Sequence, residues 1–145
     1  YYCQCQASAR LIAQRLGLSE EQYAVTFQSR FGKEEWLQPY TDKTLEQWGQ
    51  QGMKRVQVVC PGFAVDCLET LEEIAGENKE IFVHAGGGDL DYIPALNAEA
   101  AHADALAALV RQHLQGWPGM DSADSLAQRQ ERAAAQSKRA TYPLP

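Results

Sequence analysis

The sequence predicts an α/β fold in which a parallel sheet is flanked by helices, and three observations carry that prediction. Short runs rich in β-branched and aromatic residues occur at Tyr23-Ala24-Val25-Thr26-Phe27, Val56-Gln57-Val58-Val59-Cys60 and Tyr92-Ile93-Pro94-Ala95-Leu96. Segments with helical periodicity lie between them, and glycine closes most of these. The two kinds of segment alternate, and strands alternating with helices build right-handed βαβ units with helices on both sheet faces.

In chain order, Ala7, Leu11, Ile12, Ala13 and Leu16 recur at helical spacing, and Gly17 follows as a C-cap. Ser19-Glu20-Glu21-Gln22 fits a capping box, so a short helical turn should precede the first strand. Gln28 to Tyr40 reads as irregular chain. Thr41 or Asp42 can cap a helix running to about Gln51, with Gly52 ending it. The strand at Val56–Cys60 breaks at Pro61-Gly62. A long helix should run from Asp66 to Ala85, where three consecutive glycines stop it. Pro94 either weakens the third strand or places it at an edge, and Asn97 can cap a last helix ending near Leu114. These elements describe a Rossmann-like sheet over residues 1–117. The stretch 118–145, rich in Ala and Gln, lacks an apolar face to bury and reads as a flexible tail. Parallel sheets of this type bind ligands beyond the carboxyl ends of their strands. That places any chemistry on the loops Gln28–Tyr40 and Pro61–Val65.

With 145 residues, 45% of them hydrophobic, the chain can bury one real core. A net charge of −6 excludes a nucleic-acid surface, which needs clustered Lys and Arg. No apolar run approaches a membrane span and no signal-peptide pattern opens the chain, so a cytoplasmic location is expected. The chain opens at Tyr1-Tyr2 without Met and enters a helical pattern at once, as a segment of a longer protein would. Cys3, Cys5, Cys60 and Cys67 form no C-x-x-C pair and read as reduced thiols.

The helix from Asp66 carries Glu69, Glu73, Glu77 and Glu80 on one side, opposite Leu71, Ile74, Ile81 and Phe82. By spacing alone a solvated acidic face is the favoured reading, with Asp66 as an N-terminal cap. The alternative is a cation track along Glu69, Glu73 and Glu77, whose oxygen ligands suit exchangeable divalent cations. On an ideal α-helix these positions drift by ~40° per step. A π-helical stretch would return them to register, so a local irregularity is expected between Glu69 and Glu77.

Two motifs in order resemble the ferrochelatase family. Gln28-Ser29-Arg30, Gly32, Trp36-Leu37, Pro39 and Thr41 are similar to its Q-S-[KR]-x-G…W-L-x-P-x-T stretch. Phe63, Asp66, Glu69-Thr70-Leu71 and Glu73, after Val59-Cys60-Pro61-Gly62, are similar to its F-x-x-D-x-x-E-T-L-x-E segment. Tyr1-Tyr2 stands where members have G-D-P-Y before a helix, and the resemblance runs to about Leu114. It implies a chelatase-like three-layer fold, incomplete without an upstream half of the same protein.

The activity it implies is insertion of Fe²⁺ into protoporphyrin IX to form protohaem, with both as substrates. Glu69 matches the active-site glutamate, taken as catalytic and metal-binding. Glu73 and Glu77 match acidic positions of a π-helical metal or proton path. Trp36 and Phe63 match pocket residues beside the macrocycle, although a loop anchor and a core residue are equally good readings of them. Carboxylate crowding and partial desolvation are expected to raise the Glu69 pKa, which suits a proton acceptor. The resemblance departs at Cys67, where some members have histidine. It departs also in the absence of the family's active-site histidine, which lies upstream; His84, His102 and His113 stand elsewhere. The cysteines that hold an iron–sulfur cluster near the C-terminus of some members have no counterpart here, so no cluster is expected. Peripheral membrane association stays open. Rival readings are a cobalt or sirohydrochlorin chelatase and a non-catalytic porphyrin- or metal-binding fragment.

Overall fold

In the computed structural model, which describes residues 1–28, 35–115, 117, 130, 131, 134 and 135, two strands pair in parallel. β1 (Arg55–Val59) and β2 (Asp89–Ile93) align Val56 with Leu90 and Val58 with Tyr92. A helical crossover joins them. It is a π-helix over Glu69–Asn78 that continues without a break into α3 (Lys79–His84). α1 (Tyr2–Leu16) and α2 (Thr41–Gln50) precede the strands. Two compact units divide the chain, Tyr1–Ala98 and Glu99–Pro145. Within the second, α4 (Ala100–His113) leaves Leu106, Leu109 and Val110 exposed.

The core of the first unit follows from strand alternation. Val56 and Leu90 share one face of the sheet and pack with Leu45 of α2 and Phe82 of α3, while Trp48 and Val58 close the edge. Leu45, Phe82 and Leu90 are at most 2% exposed, and burying each contributes about 1.5–3 kcal/mol. Arg55, Gln57 and Val59 alternate with them and are exposed. Among the described residues, this leaves one face of the sheet open where helices on both faces were expected. Arg55 pairs with Asp91 and Lys79 with Asp89 (2.9 Å) along the strand starts.

α2 and α3 approach closely at Gly49. A Cβ there would lie 2.5 Å from the Phe82 carbonyl oxygen and 2.7 Å from Ala85 Cβ. α1 ends as expected. Gly17 adopts φ 70°, and the Leu18 N–H donates to the Ala13 carbonyl at 2.9 Å. The capping-box segment forms a 3₁₀ turn, Glu20–Gln22, in which Ser19 N–H donates to Gln22 Oε1 at 2.9 Å.

Four expectations are corrected. Tyr23–Phe27 is extended but makes only an isolated parallel bridge, Phe27 to Tyr40; propensity made it strand-like, yet no further ladder partner exists among the described residues. The last strand starts earlier, directly after Gly88, and stops at Ile93 because Pro94 has no N–H for the ladder. Asn97 does not cap α4, whose N-cap is Glu99; it takes φ 47° and turns its amide to Asp66. Leu71 is 53% exposed rather than buried with Ile74 and Phe82, because π-helical winding moves it off the core side. Ser29, Arg30 and Gly32 of the first motif lie outside the described residues, as does the tail 118–145 apart from residues 130, 131, 134 and 135.

Candidate active site

The irregularity expected between Glu69 and Glu77 is present, since that whole stretch is π-helical. Its start is built by Asp66, at the carboxyl ends of both strands. Asp66 Oδ1 accepts from Tyr92 O–H (2.6 Å) and Ala95 N–H (3.1 Å), and Oδ2 accepts from Asn97 Nδ2 (2.7 Å). Asn97 Oδ1 accepts in turn from the Asp66 N–H at 2.9 Å. These donors, Asn97 and Tyr92 foremost, hold the Asp66 carboxyl down at about 2. Asp66 is therefore no member of a solvated stripe. It clasps the segment after β2 to the entrance of the π-helix. Thr70, fully buried, completes the turn: its hydroxyl accepts from Cys67 N–H (2.9 Å) and faces the Cys67 carbonyl at 3.0 Å.

Glu69 opens the π-helix and is half-buried. Hydrogen bonding from Cys67, then from its own backbone N–H, holds its pKa below the usual glutamate value, against a smaller opposing effect of burial. This reverses the expected upward shift, because local donors to the ionised form outweigh desolvation. Nearby, burial pushes the Cys60 thiol up to about 11, helped by the Cys67 and Asp66 charges.

One turn on, Glu73 Oε2 accepts from Gln28 Nε2 at 3.0 Å, a bond spanning 45 positions of sequence. The Glu73 carbonyl accepts from Asn78 Nδ2 at 2.7 Å. Asn78 is 1% exposed and its Oδ1 has no hydrogen-bond partner among the described residues. An orphaned buried oxygen of this kind costs about 1–3 kcal/mol. Glu77 is exposed and lines an open cleft of about 400 Å³ with Gln28, Trp36, Tyr40, Asp42, Lys43, Phe27, Asn78 and Ile81.

The cleft thus brings together two of the residues singled out from sequence, Trp36 and Glu77, and Glu73 joins it through Gln28. Trp36 is 38% exposed, its ring tilted against that of Tyr1 at 6.4 Å. Phe63 stands apart in the turn after β1, where its N–H donates to the Cys60 carbonyl at 3.0 Å, and it is exposed rather than part of the core. Among the described residues no three His, Cys, Asp or Glu side chains converge as a metal cage. Glu69, Glu73 and Glu77 form a ladder along the helix. Gln28 heads the first motif, but its role is set by a partner 45 positions away, and nothing in the sequence marks Asn78.

A model described as Ferrochelatase matches residues 1–114, the extent over which the motifs run. The chain belongs to the ferrochelatase family. The ferrochelatase of Nitrosococcus oceani is 63% identical over 121 residues, which cover 83% of this chain and 33% of the relative. That of Thioalkalivibrio sulfidiphilus is 57% identical over 140 residues, 97% of this chain and 38% of the relative. That of Marinobacter nauticus is 50% identical over 143 residues, 99% and 39% of the two chains. The chain thus spans little more than a third of the length of these relatives. The α/β architecture with a parallel sheet agrees with this membership.

Proposed function

We propose that this chain is the part of a ferrochelatase that carries the acidic wall of the active site, in an enzyme inserting Fe²⁺ into protoporphyrin IX in haem biosynthesis. The observation that carries the reading is the π-helix. It sets Glu69, Glu73 and Glu77 in sequence along one segment, with Glu69 ionised at neutral pH and Glu77 at an open cleft.

Insertion requires two pyrrole N–H protons to leave as the metal enters the macrocycle. An ionised Glu69 attracts the cation and accepts a proton, and a macrocycle packed over it strengthens both effects by excluding water. Glu73 and Glu77 pass metal or protons between cleft and macrocycle, as oxygen ligands exchange divalent cations readily. Trp36 and Phe63 contribute aromatic surface to the macrocycle. The opposite wall belongs to the upstream half of the protein. Association with a membrane surface is compatible with this role, and so is a cytoplasmic location.

The test is Glu69→Gln in the full-length enzyme. Iron insertion should fall by roughly 10²–10⁴-fold, the range for a lost general base, while protoporphyrin binding followed by fluorescence quenching is retained. Near-normal turnover refutes the assignment. A second reading rests on the chain's span of a third of its relatives: alone, it is a porphyrin- or metal-binding fragment without turnover. Titrating it with protoporphyrin and Fe²⁺, with and without the upstream half, separates the two.

A further inference from the structure

We infer that Gln28 is a positioning residue for the acidic ladder, fixing the Glu73 carboxylate against the loop that also carries Trp36. The inference rests on the functional reading above and assigns Gln28 a role within it.

Three observations converge on it. First, the backbone at Gln28 is held in place. Its neighbour Phe27 is buried; the Phe27 N–H donates to the Pro39 carbonyl at 2.9 Å, and the Phe27 carbonyl accepts from Thr41 N–H at 3.1 Å. Thr41 Oγ1 donates to Thr26 Oγ1 at 2.9 Å, which ties the same two segments by their side chains. Second, the Gln28 amide reaches from this anchored point to Glu73 Oε2 at 3.0 Å in a part-buried setting. Third, Glu73 is held from its other end as well, since Asn78 Nδ2 takes its carbonyl at 2.7 Å. Asn78 keeps that orientation although its Oδ1 has no partner among the described residues. A neutral amide donor orients a carboxylate without itself supplying a neutralising charge. Gln28 also lines the cleft that Glu77 borders, so one side chain connects the middle of the ladder to its outer end.

The test is a double-mutant cycle in the full-length enzyme with Gln28→Ala, Glu73→Gln and the pair, assayed anaerobically with Fe²⁺ and protoporphyrin. Gln28→Ala should raise the KM for Fe²⁺ by about 10- to 100-fold, the range for partners that orient metal ligands, with the KM for porphyrin unchanged. Gln28→Glu, which replaces the donor by a second carboxylate, should be at least as damaging. In the Glu73→Gln background, Gln28→Ala should add little, since residues acting through one contact are non-additive. Additive losses overturn the inference, and so does an equal effect on both KM values, which marks a merely structural role. If Glu73→Gln is itself as efficient as wild type, the relay role of Glu73 fails and this inference with it, while the Glu69 assignment stands on its own test.

Discussion

Replacing Gly49 by alanine should destabilise the protein although alanine is the better helix former. Gly49 lies in regular helix near the end of α2, so its backbone accepts a side chain without strain. The obstruction is packing. The new methyl would sit 2.5 Å from the Phe82 carbonyl oxygen and 2.7 Å from Ala85 Cβ. Ordinary contact begins near 3.4 Å, so α2 and α3 must part by the better part of an ångström. A radial gap of 0.5–1 Å forfeits about a quarter to a half of each dispersion contact across it. Those contacts include the Leu45–Phe82 packing at the centre of the core. Overpacking of this kind costs about 1–3 kcal/mol, and the gain from alanine over glycine returns roughly 0.5–1 kcal/mol. The net expectation is a loss of up to about 2.5 kcal/mol, or a melting temperature lower by up to ~10 °C. Gly76→Ala is the control, because its Cβ would meet nothing nearer than the Leu71 carbonyl at 3.7 Å. It carries the same propensity gain without the clash and should be neutral or stabilising. Thermal and urea unfolding of both variants decide the matter. A Gly49→Ala protein as stable as Gly76→Ala would refute the close-approach argument.

Two more predictions concern protonation. The Asp66 carboxyl sits at about 2 in the folded protein against 3.8 when free, so between those values the unfolded chain binds more protons. Its stabilising contribution is complete above about 3.8 and is lost as pH falls through about 2. Asp66→Asn should flatten stability against pH within that window, as read by urea midpoints from pH 2 to 5; an unchanged slope counts against the clasp. The Cys60 thiol, pushed up to about 11 by burial, should react with iodoacetamide much more slowly at pH 7.5 than exposed Cys3. Peptide mass spectrometry over time would read the order, and first labelling of Cys60 contradicts its burial.

What the sequence revealed were features governed by neighbours in the chain. The Gly17 cap, the β1 strand and the register problem of Glu69, Glu73 and Glu77 are all set within a few residues of one another. The last of these raised a π-helix as the alternative to a solvated acidic face. Features set by distant partners escaped. Tyr23–Phe27 has strand propensity, but a strand also needs a ladder, and among the described residues only Tyr40 supplies a rung. Asn97 has the chemistry of a helix cap, yet an aspartate 31 positions away competes for its amide and wins. The Glu69 pKa falls rather than rises: carboxylate crowding is visible in spacing, whereas the donors at Cys67 and the helix start are visible only in three dimensions. Gln28 and Glu73 could be matched to motifs one at a time, but their meeting could not.

The π-helix is also the only covalent route from β1 to β2, and this locks its winding to the core. Each residue of an α-helix advances by ~100°, and a π-turn advances by less per residue. If residues 69–78 relaxed to α-helix, everything beyond them would be rotated, and Phe82 would swing away from Leu45, Val56 and Leu90. Adding or deleting one residue in the segment would misphase α3 in the same way. The uncommon helix therefore needs no local device to keep it from relaxing, because the burial of a phenylalanine further along the chain enforces its pitch. Substitution, rather than insertion or deletion, is the form of variation this segment can absorb.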